Sequence, residues 1–306
     1  MINYFITLVF SMKSLKNGRF YGLKLSYMKK LNVLVAVAML LFVSSLSYGQ
    51  SIKLMSYNIR LDVDSDGENA WSKRKDYFTS QIQFYSPDIF GVQEALPNQV
   101  DAIAAALPNY NKFGIGREEE GKGEACEIYY KKDRFQVLQS NTFWLSATPD
   151  VVSRGWDAAC NRVCTYALFK DLKTKKTFWV FNLHLDHMGE IARVKGVELA
   201  LFKMKELNAK NYPAFLMGDF NSEPETKQIV AIKKVMDDTK EVSKEKPFGP
   251  SGTFNDFKHN EPVTLLLDYI FVSKNSGLTI QKHATLSDSK DLKYPSDHLP
   301  VYIEIN

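Results

Sequence analysis

The chain has 306 residues, 45% hydrophobic and 24% charged, with 16 Gly and 11 Pro, which excludes a disordered tail, a collagen-like repeat and a low-complexity scaffold. That length suits one large domain or two ordinary ones, each able to bury a substantial core. The formal charge is +4, but residues 1–49 hold six Lys or Arg and no Asp or Glu; the 39 basic residues fall to 33 against 35 acidic over residues 50–306, a sum of −2 that argues against coating a polyanion.

In chain order, an apolar stretch, Tyr4–Phe10, comes first. Met28-Lys29-Lys30 then precedes the largely apolar 13-residue run Leu31–Val43, followed by Ser47 and Gly49. A positive start, a short greasy run and small residues are the three parts of a secretory signal peptide, and the run is too short to span ~30 Å of hydrocarbon. Residues 1–27 therefore read as an extension ahead of the true start at Met28. Residues 28–49 read as a signal cleaved near Gly49, and residues 50–306 as the exported, periplasmic or extracellular protein, with no stable membrane insertion afterwards. Export permits disulfides, but the three cysteines leave at least one unpaired. Cys160 and Cys164, on or just before one strand, lie ~13 Å apart and beyond disulfide reach, while Cys126 could pair with either.

Past Gln50, Ile52–Ile59 predicts a strand, Trp71–Tyr85 an amphipathic helix, Asp88–Gln93 a buried strand and Asn98–Leu107 a second helix ended by Pro108-Asn109. Strands are expected at Ala125–Tyr130, Phe135–Trp144, Arg162–Lys170 and Thr177–Leu183, with Lys173–Lys176 as the turn between the last two. Gly189–Asn208 is the longest helix candidate, Ala214–Asp219 an apolar strand, and strands at Leu265–Val272, Leu278–Thr285 and His298–Ile305 close the chain. No Pro- or Gly-rich linker divides this pattern and no repeat appears, so it reads as a single α/β domain with sheets inside and helices outside.

Polar residues recur where the apolar strands stop: Asn58, Glu94, His184, Asp219 with Asn221, and Asp297-His298, with Asp268 inside a later strand. Strand ends let a rigid sheet gather side chains from distant sequence into one cleft. Asn58, Glu94, Asp219, Asn221 and Asp297 supply hard oxygens without thiolate, a set that suits Mg²⁺ or Mn²⁺ rather than Zn²⁺. A lone Asp or Asn at a strand end is usually a cap or turn former, so the inference rests on the whole set. Asp62–Gly67 imitates the start of an EF-hand, but its twelfth position is Lys73 where a bidentate Glu is required, so it reads as a solvated loop.

The pieces SYN at 56–58, QE at 93–94, HLDH at 184–187, GDFN at 218–221, LDYIF at 267–271 and SDH at 296–298 resemble, in order and spacing, the endonuclease/exonuclease/phosphatase superfamily with the DNase I-like fold. The resemblance covers residues 51–306 and implies a four-layer α/β/β/α sandwich that hydrolyses phosphoesters with a divalent metal. It implies Glu94 as the main metal carboxylate, with Asn58 beside it and Asp297 completing the shell. Asp219 would activate the attacking water, with Asn221 fixing the phosphate or Asp219 itself. His298, oriented by Asp268, would bind the scissile phosphate, and His184 would stabilise the pentacoordinate state or protonate the leaving group. Arg162 is the candidate phosphate fork. His187 is open between a structural and a supporting role, and His259 and His283 read as surface residues. Trp144, Trp156 and Trp179 read as core or cleft-wall aromatics, with stacking on substrate the alternative for Trp156.

HLDH and the Trp156–Arg162 segment look most like the branch containing nocturnin and the carbon-catabolite-repressor deadenylases. No Lys/Arg stripe survives beyond residue 49 to track a long nucleic acid. The expectation is therefore a monomeric phosphodiesterase or phosphatase acting on a small phosphorylated molecule or short nucleotide. A 3′–5′ exonuclease or endonuclease on RNA or DNA is the runner-up. An inactive phosphate-binding module is the third reading, although Glu94, Asp219, Asp297 and His298 are all present.

Overall fold

The computed structural model describes residues 51–306 together with Met28, Lys30, Leu31 and Asn32. The expected extension 1–27 lies outside the described residues, as does the signal segment 28–49 apart from those four. In chain order the elements are β1 (Ile52–Asn58), α1 (Trp71–Tyr85), β2 (Ile89–Gln93), α2 (Pro97–Ala106), β3 (Tyr110–Phe113), β4 (Ile128–Lys131), β5 (Phe135–Trp144), β6 (Val163–Asp171) and β7 (Thr177–His184). They continue with α3 (Glu190–Leu207), β8 (Ala214–Asp219), α4 (Lys227–Val235), β9 (Met236–Asp238), β10 (Asp268–Ser273), β11 (Ile280–Thr285) and β12 (Val301–Ile305).

The strands form two six-stranded sheets, ordered β11-β12-β1-β2-β4-β3 and β5-β6-β7-β8-β10-β9. Each is antiparallel except at one central pair, β1 with β2 and β7 with β8. Successive side chains of a strand point to opposite faces, so period two sorts the apolar residues into three layers of packing. Leu54, Ile89, Phe169, Phe178, Val180, Phe215, Met217, Ile270 and Ile303 face inward and join the sheets. Their odd-step neighbours Met55, Tyr57, Phe90 and Val92 pack under Trp71, Phe78, Ile82, Val100 and Ile103 of α1 and α2. On the other side Trp179, Phe181, Leu216 and Phe271 pack under Val197, Ala200, Met204, Ile229 and Ile232 of α3 and α4. The result is the expected four-layer α/β/β/α sandwich in one domain.

Element ends follow local chemistry. Pro97 takes the first position of α2, where its missing N–H costs nothing, and the Gln99 side chain reaches back to accept from Leu96 N at 3.1 Å. The last strand starts at Val301 rather than His298, because Pro300 cannot donate to a ladder. Leu265–Leu267 close a loop instead of opening a strand: Leu265 C=O accepts from Thr253 N and Phe254 N, so β10 begins at Asp268. The short elements β3, β9 and α4 escaped the sequence pattern. Tyr110–Phe113 has no buried residue to show an alternation, and α4 is only nine residues long. The segment Asp64–Asn69, expected as open loop, forms a short 3-10 stretch.

Cys126, Cys160 and Cys164 are all free thiols, so the pairing left open for Cys126 does not form. His283 corrects a second expectation. It is buried at the edge of the first sheet rather than on the surface, with its Nδ1 3.1 Å from Thr239 Oγ1. That hydroxyl already donates to Ile270 C=O, so His283 Nδ1 is the donor.

Candidate active site

The same alternation that makes the inner faces apolar places Asn58, Gln93, Asn182, His184, Asp219 and Asp268 on those faces, at the end where β1, β2, β7 and β8 stop and β10 begins. Two glycines set the spacing. A Cβ on Gly91 would lie 2.6 Å from Asn182 Cγ and from Met217 Cε, so the sheets approach there without one. In the gap Asn182 accepts from Gln93 Nε2 at 2.7 Å and donates to Val92 and Glu127 carbonyls at 3.0 Å, a buried clasp beneath the site. Gly218 has φ +142°, and a Cβ there would meet Leu183 C=O at 1.9 Å; only glycine lets β8 deliver Asp219 at its tip.

Above the clasp the candidate residues converge. Asn58 Nδ2 donates to Glu94 Oε1 at 3.0 Å and to Asp219 Oδ2 at 2.9 Å, joining two metal-type carboxylates through one amide. Glu94 holds a left-handed backbone (φ 62°) just past β2, and its Oε2 accepts from Leu61 N at 3.1 Å. Asp219 Oδ1 accepts from Asn221 N at 2.8 Å, and Asp219 Oδ2 lies 3.4 Å from His184 Nε2 and 3.8 Å from His298 Nε2. His298 Nδ1 meets Asp268 Oδ2 at 2.8 Å. Asp297 is buried with Oδ2 3.8 Å from Arg60 Nε, and Ser296 Oγ ties that loop to β1 by donating to Asn58 C=O at 2.7 Å. Asn58, Glu94, His184, Asp219, Asn221, Asp268, Asp297 and His298 therefore reach one locus.

The electrostatics divide the two histidines. Burial and the nearby Arg162 hold His184 well below the ordinary imidazole range. Asn221 Nδ2 donates to its Nε2 at 3.1 Å and to Leu185 C=O at 3.0 Å, so this imidazole is neutral and protonated on Nδ1. His298 is also fully buried, but the Asp268 and Asp219 carboxylates outweigh that cost and keep it protonated well above its usual range. Asp219 is raised by burial and then by Asp268; Asp297 is raised by burial and, among its neighbours, by Glu94.

This donor set fits a hard divalent cation. The ligand atoms of Glu94, His184 and Asp219 lie within 4.8 Å of one another, as do those of Asp219, Asp268 and His298. A cation beside Glu94, Asn58 and Asp297 would also offset the crowding of negative charge that raises the buried carboxylates.

Arg162 sits just before β6, buried, its Nε 3.3 Å from Asp186 Oδ2 and its Nη2 2.9 Å from His187 Nδ1. Its Nη1 has no protein partner, and the guanidinium borders a narrow crevice shared with Glu94, Arg117, Glu124 and His184. Sequence reasoning passed over Asp186, although it stands inside HLDH. Its Oδ1 accepts from Met188 N and Gly189 N at 3.0 and 2.7 Å while its Oδ2 holds Arg162, and these bonds keep it far below the ordinary carboxylate range. Asp66 was missed too: it pairs with Arg60 at 2.9 Å and so steadies the cation facing Asp297.

Residues 55–298 match the model of the Endonuclease/Exonuclease/phosphatase family. In sequence the chain is similar to a probable RNA exonuclease of Saccharomyces cerevisiae, 27% identical over 207 residues, covering 60% of this chain and 40% of that protein. Nocturnin of Drosophila melanogaster is 26% identical over 199 residues, 58% of this chain and 29% of the relative, which bears out the expected likeness to the nocturnin branch. The chain thus spans less than half the length of either. In structure it is similar to a mannosyl-6-phosphatase of Bacteroides thetaiotaomicron, 37% identical with a TM-score of 0.79, over 83% of this chain and 99% of that one.

Proposed function

The chain belongs to the endonuclease/exonuclease/phosphatase family, and from that premise we propose that it is an exported phosphatase or phosphodiesterase acting on a small phosphorylated molecule, a sugar phosphate first among them. The family's metal-dependent hydrolysis of phosphoester bonds is the activity of this chain. The observation that carries the narrower reading is the compact site: the Glu94, Asp219, Asp268 and Asp297 carboxylates gathered with a neutral His184, a protonated His298 and the buried Arg162. The likeness to a mannosyl-6-phosphatase over nearly its whole length supports a sugar phosphate. The likeness to a probable RNA exonuclease keeps short nucleotides as the second reading.

Glu94, Asn58 and Asp297 would hold the metal, Mg²⁺ or Mn²⁺ by the hardness of their oxygens. When bound, it neutralises phosphate charge and stabilises the departing oxygen. Asp219, pinned by Asn221 N and Asn58 Nδ2, receives the proton of the attacking water. His298, kept protonated by Asp268, donates to a phosphate oxygen, and the free Nη1 of Arg162 grips a second. His184 accepts from Asn221 through Nε2, so we assign it the positioning of Asn221, whose backbone N–H in turn donates to Asp219 Oδ1, and not delivery of a proton.

The test compares initial rates on sugar phosphates, short oligonucleotides and phospholipid headgroups with Mg²⁺ and with Mn²⁺. Sugar phosphates are expected to lead, with Glu94→Ala and His298→Ala each lowering the rate at least a hundredfold in folded protein. Oligonucleotides turned over fastest would install the second reading, and full activity in both variants would refute the site.

A further inference from the structure

Of the four tryptophans, Trp71, Trp144 and Trp179 are buried at 7% exposure or less, whereas Trp156 is 40% exposed. It also has a left-handed backbone, φ 46°, which a bulky side chain adopts only where its surroundings impose it. Those surroundings are tight. A Cβ on the preceding Gly155 would lie 2.1 Å from Leu145 C=O, and Leu145 N itself donates to Arg162 C=O at 2.7 Å. On the other side Asp157 accepts from Ile191 N and Ala192 N at 3.2 and 2.6 Å, fastening the loop to the start of α3. Asp157 also abuts Gly189, which Asp186 holds while gripping Arg162. The backbone on both sides of Trp156 is thus clamped to the residues that hold Arg162.

We propose that Trp156 is the platform on which the ring of the substrate's leaving group stacks, and that this ring is a sugar. An indole offers a flat apolar face to the C–H face of a pyranose. Further along the same loop, next to Arg162, the Asn161 side chain donates to Glu118 at 2.8 Å, and this amide and carboxylate are groups that sugar hydroxyls can bond. The clamp fixes the backbone of Trp156 before substrate arrives, which saves ordering cost on binding. Trp156 is then a specificity residue for the leaving group, and Arg162 remains the contact to phosphate. This inference rests on the phosphoester-hydrolase reading above and names which substrates the site prefers.

The experiment measures kcat/KM of the metal-loaded enzyme on mannose 6-phosphate, on 5′-AMP and on the ringless glycerol 3-phosphate, for wild type, Trp156→Ala and Trp156→Phe. Trp156→Ala is expected to lose about tenfold or more on mannose 6-phosphate and under twofold on glycerol 3-phosphate, with Trp156→Phe recovering most of the loss. Equal losses on both substrates would mean that the indole only supports the Arg162 loop, and would overturn the proposal. A loss seen with 5′-AMP but not with mannose 6-phosphate would overturn the sugar assignment. No turnover of any phosphoester by wild type would instead refute the underlying hydrolase reading.

Discussion

His283 sits behind Thr239 with Lys240 nearby, and burial followed by that lysine lowers its pKa to about 3. In the unfolded chain an imidazole titrates near ~6.5. Between those values the unfolded state binds the extra proton, so stability is full above about pH 6.5 and falls as the pH drops towards 3. The slope from one such group reaches at most about 1.4 kcal/mol per pH unit. His283→Gln, which can still donate to Thr239, should flatten the acid limb of a urea-denaturation profile between pH 4 and 6.5; an unchanged limb would contradict this account. At the same scale, Asp186 shows why a functional motif can hide its most useful carboxylate. A reader of HLDH counts histidines as chemistry, but only the fold reveals that Asp186 Oδ2 faces Arg162.

At the level of elements, the site depends on how closely β2 and β7 approach across the sandwich. Gly91→Ala would drive a methyl into Asn182 and Met217. The Met217 terminus can swing aside, but Asn182 is committed to Gln93, Val92 and Glu127, so its shift breaks buried hydrogen bonds. We expect a loss of about 1–3 kcal/mol by thermal or chemical unfolding, together with reduced activity because Gln93 precedes Glu94. Wild-type stability in Gly91→Ala would show that the clasp is slack. The long strands and α1 were legible from their apolar pattern, and α3 from a long Pro-free run rich in Glu, Lys, Leu, Ala and Met rather than from apolar periodicity. The strands β3 and β9 were not, because three or four residues at a sheet margin bury too little surface to shape their composition.

For the whole molecule, the charge of −2 over residues 50–306 and the signal-like sequence before them are the grounds on which a small substrate and export are proposed. Intact-mass measurement on the protein recovered outside the cytoplasm should return a species beginning near Gln50. A mass that includes residues 1–27 would refute both the expected start at Met28 and the cleavage.

By itself the sequence determined the layered α/β architecture, the six polar clusters at strand ends and the hardness of their donor atoms, because strand periodicity and side-chain chemistry are local properties. The tertiary structure decided how the clusters relate. Asn58 links Glu94 to Asp219, Asp268 keeps His298 charged while burial keeps His184 neutral, and Asp186 joins Arg162 to the loop of Trp156. Those relations are distances between residues as many as 161 positions apart, and a charge state buried in a protein is set by such neighbours and not by the residue's own identity.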